Sequence, residues 1–166
     1  MAKATKQLNE LFHEGLKDIY FAEKKILAAL PKMANAADSE DLVAAFQEHL
    51  DETEEHVTRL EKVFELIDQQ PHGKNCPAII GIVEEGQEVM KEYKGSPALD
   101  AGLLAAAQAV EHYEISRYGT LMTWAQQLGM LEAAAILNQT LQEEVEMHST
   151  LTKLAQMPIN REAQVA

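Results

Sequence analysis

Apolar residues recur every three to four positions through most of the chain. One stripe runs Leu16, Ile19, Glu23, Ile26 or Leu27, Leu30; the next runs Leu42, Phe46, His49, Thr53, His56, Leu60, Val63, Ile67. A third reads Leu103, Ala107, Val110, Glu114, Tyr118, Leu121, and a fourth Ala134, Leu137, Leu141, Glu144, His148, Leu151. This spacing gathers side chains on one face of a helix, whereas a strand would need alternation. It predicts long amphipathic helices over 5–36, 39–69, 97–128 and 130–156, and a shorter one over 77–93.

The breaks between stripes carry turn chemistry. Pro31 interrupts the first pattern and is expected to kink or end that helix. Asp38 or Ser39 is placed to cap the second. Residues 70–77, Gln-Pro-His-Gly-Lys-Asn-Cys-Pro, read as a loop with Pro77 in the first turn of the short helix. Ser96 and Pro97 are expected to cap and open the next, Gly129 to stop it, and Pro158 to end the last periodic segment. Helices of this length reach about 45 Å. Two tight helical hairpins joined by a long crossover carrying a short helix describe an all-α, ferritin-like four-helix bundle. We expect one domain over 1–166, with a bundle core of about 5–156 and a tail from 157. The halves also echo each other: Glu23 and Glu114 lie 91 residues apart, as do Leu30 and Leu121, and Leu60 and Leu151, while Glu52 and Glu144 lie 92 apart.

Composition narrows the partners. Helix-favouring Ala, Leu, Glu, Gln and Lys dominate. A net charge of −13 with no basic patch or polybasic tail excludes nucleic acid and disfavours anionic membrane surfaces. The acidity alone reads first as solubility. The lone Cys76 excludes an intrachain disulfide. No signal-peptide core and no bilayer-length apolar run is visible, so the expected location is the cytoplasm.

What changes the picture is where the acids fall. Glu23 sits four residues after Ile19 and four before Leu27, so it must point inward. Glu114 and Glu144 lie on the third and fourth stripes, Glu111 flanks the third, and Glu52 lies at the edge of the second, three after His49. An isolated inward Glu is usually salt-bridged or solvated. Inward carboxylates from every long helix repel one another, and they call for shared protons or bound cations. Carboxylate and imidazole together suit iron or manganese, with zinc possible. Known di-metal bundles pair single glutamates with Glu-x-x-His turns. Here the spacings are His49-x-x-Glu52, with His56 one turn on, and Glu144-x-x-x-His148. His49 reads equally as ligand or core residue, His56 and His148 rather as orienting or core groups, and Glu111 as a further ligand or an orienting partner. Tyr20, Tyr113 and Tyr118 read as packing, with a tyrosine hydrogen-bonded to the site as the lesser alternative, and Met90, Met122, Met130 and Met147 as core filler. Cys76 has only His72 near it in sequence, which makes no zinc site.

The segments Asp18-Ile-Tyr-Phe-Ala-Glu23-Lys24, Glu48-His49-Leu-Asp-Glu52-Thr53, Ala106-Ala-Gln-Ala-Val-Glu111-His-Tyr-Glu114-Ile115 and Thr140-Leu-Gln-Glu143-Glu144 carry a family resemblance. So do Gly73-Lys-Asn-Cys76 and Gly81-x-x-Glu-Glu-Gly86. Over residues 5–156 the chain resembles the YciE/YciF family of bacterial ferritin-like proteins. The resemblance implies a homodimeric bundle associated with stress responses, with metal ligands at Glu23, His49, Glu52, Glu111, Glu114 and Glu144. His148 falls where relatives often differ, which demotes it together with His56. The expected function is a buried di-metal centre, two iron ions per chain, that oxidises Fe(II) or consumes oxygen or peroxide. Glu23 and Glu114 would then act as single carboxylates, Glu52 and Glu144 as those of the paired helices, with His49 on one ion and Glu111 on the other. The alternative is a non-enzymatic structural or interaction bundle with structural metal or none. A mineral-storing cage is not expected.

Overall fold

The structure, a computed structural model, describes residues 6–164, with the side chains of 157 and 158 outside the description. Five helices carry the fold: α1 (Leu8–Ala36), α2 (Glu40–Leu66), α3 (Pro77–Glu92), α4 (Leu99–Gln127) and α5 (Leu131–Leu154). A single π-helical turn (Ala155–Ile159) and a short α6 (Asn160–Glu162) follow. Among the described residues there is no strand. α1 pairs with α2 and α4 with α5 as antiparallel hairpins, α1 also lies beside α4 and α2 beside α5, and α3 lies across α1 and α4. This is the expected bundle, with the crossover helix strapped over one groove.

Most of the stripes become the core as read, but Leu141 and His148 of the fourth are only partly buried. Phe12, Leu16, Ile19, Ile26, Leu30 and Met33 of α1 are buried against Leu42, Phe46, Leu60 and Val63 of α2, with Leu103, Ala107 and Leu121 of α4 and Leu137 and Leu151 of α5 in the same cluster. Pro31 neither ends nor divides α1, which continues to Ala36. Its missing N–H removes one backbone bond, and the packed flank on α2 holds the helix through it.

Capping differs in detail. Ser39 caps α2, its Oγ accepting from Leu42 N–H at 3.4 Å. The carboxylate of Asp100, at the start of α4, accepts from the backbone N–H groups of Asp38 (2.9 Å) and Ser39 (2.7 Å), tying the α1–α2 corner to the other hairpin. Ser96 accepts instead from Ala98 N–H, in a turn that carries Pro97, so α4 begins two residues later than expected. Helix α1, expected from residue 5, which lies outside the described residues, is helical from Leu8. The expected tail is also more ordered: beyond α5 the π turn and α6 return Ile159 to the core at 2% exposure.

Gly129 stops α4 as expected. Its φ of +74° is left-handed, and the Met130 N–H closes back onto Ala125 C=O at 2.9 Å. A Cβ there would meet nothing within 4 Å. Gly129→Ala is therefore expected to lower stability through backbone strain alone, by about 1 kcal/mol. Urea unfolding checks this, and an unchanged midpoint would count against it.

Candidate metal centre

Four buried carboxylates, Glu23, Glu111, Glu114 and Glu144, meet two buried imidazoles, His49 and His56, at mid-bundle. All six lie on the apolar stripes or against them, so burial of each helix's greasy face carries its acid inward. They form two groups in which each residue offers one atom within 4.8 Å of the others: His49, Glu111, Glu114 and Glu144, and Glu23, His56 and Glu144.

Glu144 belongs to both, with a different oxygen toward each. Its Oε2 lies 4.0 Å from His49 Nε2, and its Oε1 3.1 Å from His56 Nδ1. His49 Nδ1 is 3.1 Å from Glu111 Oε1 and its Nε2 3.7 Å from Glu114 Oε2; His56 Nδ1 is 3.7 Å from Glu23 Oε1. These contacts lack hydrogen-bond alignment: both oxygens of Glu111, Glu114 and Glu144, His49 Nε2, His56 Nδ1 and Glu23 Oε2 are buried without a hydrogen-bond partner. Ligands about 2.1 Å from a common ion sit about 3 Å or more from one another. Orphaned acceptors at such separations, in an oxygen-rich set with imidazole, fit a hard or borderline cation and fit a hydrogen-bonded core poorly.

Without a cation Glu23, Glu111 and Glu114 are pushed toward their protonated forms. Burial, with Glu144 beside it, pushes Glu111 up to about 11. Burial likewise raises Glu114 well above the carboxylate range, and Glu23 to about 7, where the charge of His56 partly restrains it. Burial lowers His49 to about 4. His56 behaves oppositely: burial works against its charge, but Glu144, Glu23 and Glu143 together outweigh it and hold it at about 9.

His56 is also the best-oriented group of the set. Its Nε2 sits 2.9 Å from Glu143 Oε2, and Arg59 grips Glu143 with both guanidinium nitrogens, Nη2 to Oε1 at 2.9 Å. An imidazole that donates one N–H to a carboxylate is fixed with its other nitrogen facing the site. His56 Nδ1 accordingly faces Glu23 and Glu144. Glu143→Gln is expected to weaken metal binding about 10-fold or more while leaving the number of ions bound unchanged. Isothermal titration decides this, and undiminished affinity would remove Glu143 from that role.

The structure places several of the expected site residues differently. His56, demoted on sequence grounds, sits among the carboxylates. His49 and Glu111, expected at different ions, share one group. Glu52 falls outside both groups, half-buried with one orphaned oxygen, and burial raises it to about 7. The apparent match of Glu52 to Glu144 is a slip of one residue, since the buried position 91 before Glu144 is Thr53, whose hydroxyl bonds its own helix at His49 C=O (2.6 Å). His148 also lies outside both groups. The buried face of α5 runs Thr140, Glu144, Met147, Leu151, and His148 turns to pack edge-on against His112 at 4.3 Å between ring centres. Tyr118, expected chiefly as packing, donates its hydroxyl to Glu23 Oε1 in full burial. Its place on the stripe, four after Glu114, was the available signal. Glu143 and Arg59 gave none, being half-exposed positions on different helices.

A long-helix bundle whose interior carries a carboxylate–imidazole cluster that could hold a metal ion is the class of protein defined here. The family model described as "Domain of unknown function (DUF892)" matches residues 7–164, and the chain belongs to that family. It is 41% identical over 160 residues to protein YciF of Escherichia coli (strain K12), covering 96% of each chain. Its fold matches the crystal structure of the E. coli stress protein YciF with a TM-score of 0.88 at 39% identity, over 98% of this chain and all of that one. It also matches YcfI of Rhodopseudomonas palustris, described as a candidate structural protein, with a TM-score of 0.86 at 42% identity, over 92% of this chain and 97% of that one. Among the described residues no helix is long and apolar enough to cross a membrane.

Proposed function

We propose that this is a single-domain, stress-associated metal-binding bundle that takes two ions per chain, iron first, with manganese or zinc as substitutes. The observation that carries this reading is Glu144, which turns one oxygen to each group. A carboxylate so placed would serve cations held at both groups. His49, Glu111 and Glu114 would complete one position, and Glu23 and His56 the other, with Tyr118 holding Glu23 and Glu143 holding His56. Two bound irons would supply one-electron redox chemistry. The surrounding residues would exclude water, keep the imidazoles oriented and give up the protons of Glu111 and Glu114 as ions enter. The stress association rests on the likeness to the E. coli stress protein YciF, and a homodimer in the cytoplasm is part of the same proposal.

Anaerobic Fe(II) titration of metal-free chain tests the reading. Saturation at two ions per chain is the expected result. Absence of saturable binding of Fe(II), Mn(II) or Zn(II) would overturn it. That outcome favours the second reading, a structural bundle whose acids stay protonated, for which the raised Glu111 and Glu114 are the supporting observation. The description of YcfI fits that alternative.

A further inference from the structure

The groove that α3 covers is not fully closed. Ile26, Leu30 and Met33 of α1, Ile82, Val83 and Met90 of α3, and Ala106, Ala107 and Val110 of α4 line a crevice whose wall also includes His49 from α2. The exposed Lys32 and Gln87 stand at its rim, while His49 is 1% exposed, so the crevice runs from solvent to one imidazole of the cluster. Its polar side chains are the Gln87 amide and the Lys32 ammonium at the rim and the His49 imidazole at the inner end; between them the lining is aliphatic or thioether. The free volume is small, about 20 Å³, so the crevice takes a small molecule and not a bulky one. Water gains little from such walls, because it needs two to four polar partners.

Two glycines shape it. Gly102 of α4 lets α3 approach so closely that an added Cβ would lie 2.5 Å from Val89 Cγ1. Gly86 of α3 lines the crevice, and a Cβ there would stand 3.5 Å from Ala106 Cβ, an ordinary contact reaching across the gap. Alanine would be favoured over glycine inside a helix, so the open gap is obtained at the expense of helix stability.

We propose that the crevice beneath α3 is a binding and access site for a small apolar diatomic molecule of the dioxygen class, delivering it to the His49 side of the cluster. The delivery half of this statement rests on the proposed metal centre; the binding half does not. Polar oxidants such as peroxide are disfavoured by the same lining.

Xenon, apolar and of similar size, is the probe. Applied under pressure to metal-free chain, it is expected to shift the methyl resonances of Ile82, Val83, Leu30 and Val110 saturably. Gly86→Leu and Val83→Phe, each filling the gap from a different position on α3, are expected to abolish those shifts while leaving Fe(II) stoichiometry at the wild-type value. A folded wild type with no saturable shift at these methyls overturns the proposal, as do shifts that persist in both variants. If one variant fails to fold, the other decides. Wild type that takes xenon here but binds no metal keeps the apolar site and removes the metal reading. With metal bound, both variants are expected to slow the reaction with dissolved dioxygen at least 10-fold and the reaction with peroxide by less. Equal slowing of both oxidants would reject delivery by this route.

Discussion

Glu144→Gln is expected to abolish saturable metal binding at both positions, taking the stoichiometry from two ions per chain to none. The amide keeps the shape of the side chain but cannot bridge cations, and Glu144 is the one residue common to both groups. No other single ligand should have this effect: Glu23→Gln should spare the His49 group, and Glu111→Gln the His56 group. Metal at a hundredfold excess over its dissociation constant should stabilise the wild type by about 2.7 kcal/mol, about 5–10 °C in thermal midpoint, and leave the variant where it was. Calorimetry with and without metal reads all of this. Retention of one ion by the variant would show that Glu144 is not shared.

Metal-free chain is also expected to lose stability as the pH rises from 6.5 to 8. Buried Glu111 is raised to about 11 and Glu114 well above its ordinary value of 4.5, both first by burial and then by Glu144. Between about 4.5 and its raised value, each acid holds a proton in the folded chain that it lacks in the unfolded one. The folded state therefore loses ground as protons grow scarce. The contribution is complete below about 4.5 and fades through about 7 for Glu23 and about 11 for Glu111. His56, raised to about 9 by Glu144, Glu23 and Glu143 against its burial, pulls in the same direction between 6.5 and 9. His49, lowered to about 4 by burial, opposes it only below 6.5, where the unfolded chain takes up the proton. Above 6.5 these shifts all act one way. One group's worth over this interval is about 2 kcal/mol, about 4–8 °C. Metal binding displaces the same protons, so the gap between metal-bound and metal-free midpoints should widen with pH. A metal-free midpoint that rises from pH 6.5 to 8 would contradict the protonated cluster.

The sequence by itself determined the helices, their hairpin order and the fact that acids face inward, because a periodicity of three to four residues is a local property of each segment. Glu23, Glu114 and Glu144 could be read in this way from the residues one turn before and after them. Only the tertiary structure decided which side chains meet. The rotation of α5 about its axis puts Met147 in the core and His148 against His112. The register of α2 against α5 brings His56 to Glu144 and Glu143 and leaves Glu52 at the edge. Tyr118 reaches Glu23 from 95 positions away. Spacing fixes the face of a helix only to within about a third of a turn, and it carries nothing of the sliding of one helix along another. A centre whose ligand atoms must come within about 4 Å depends on both.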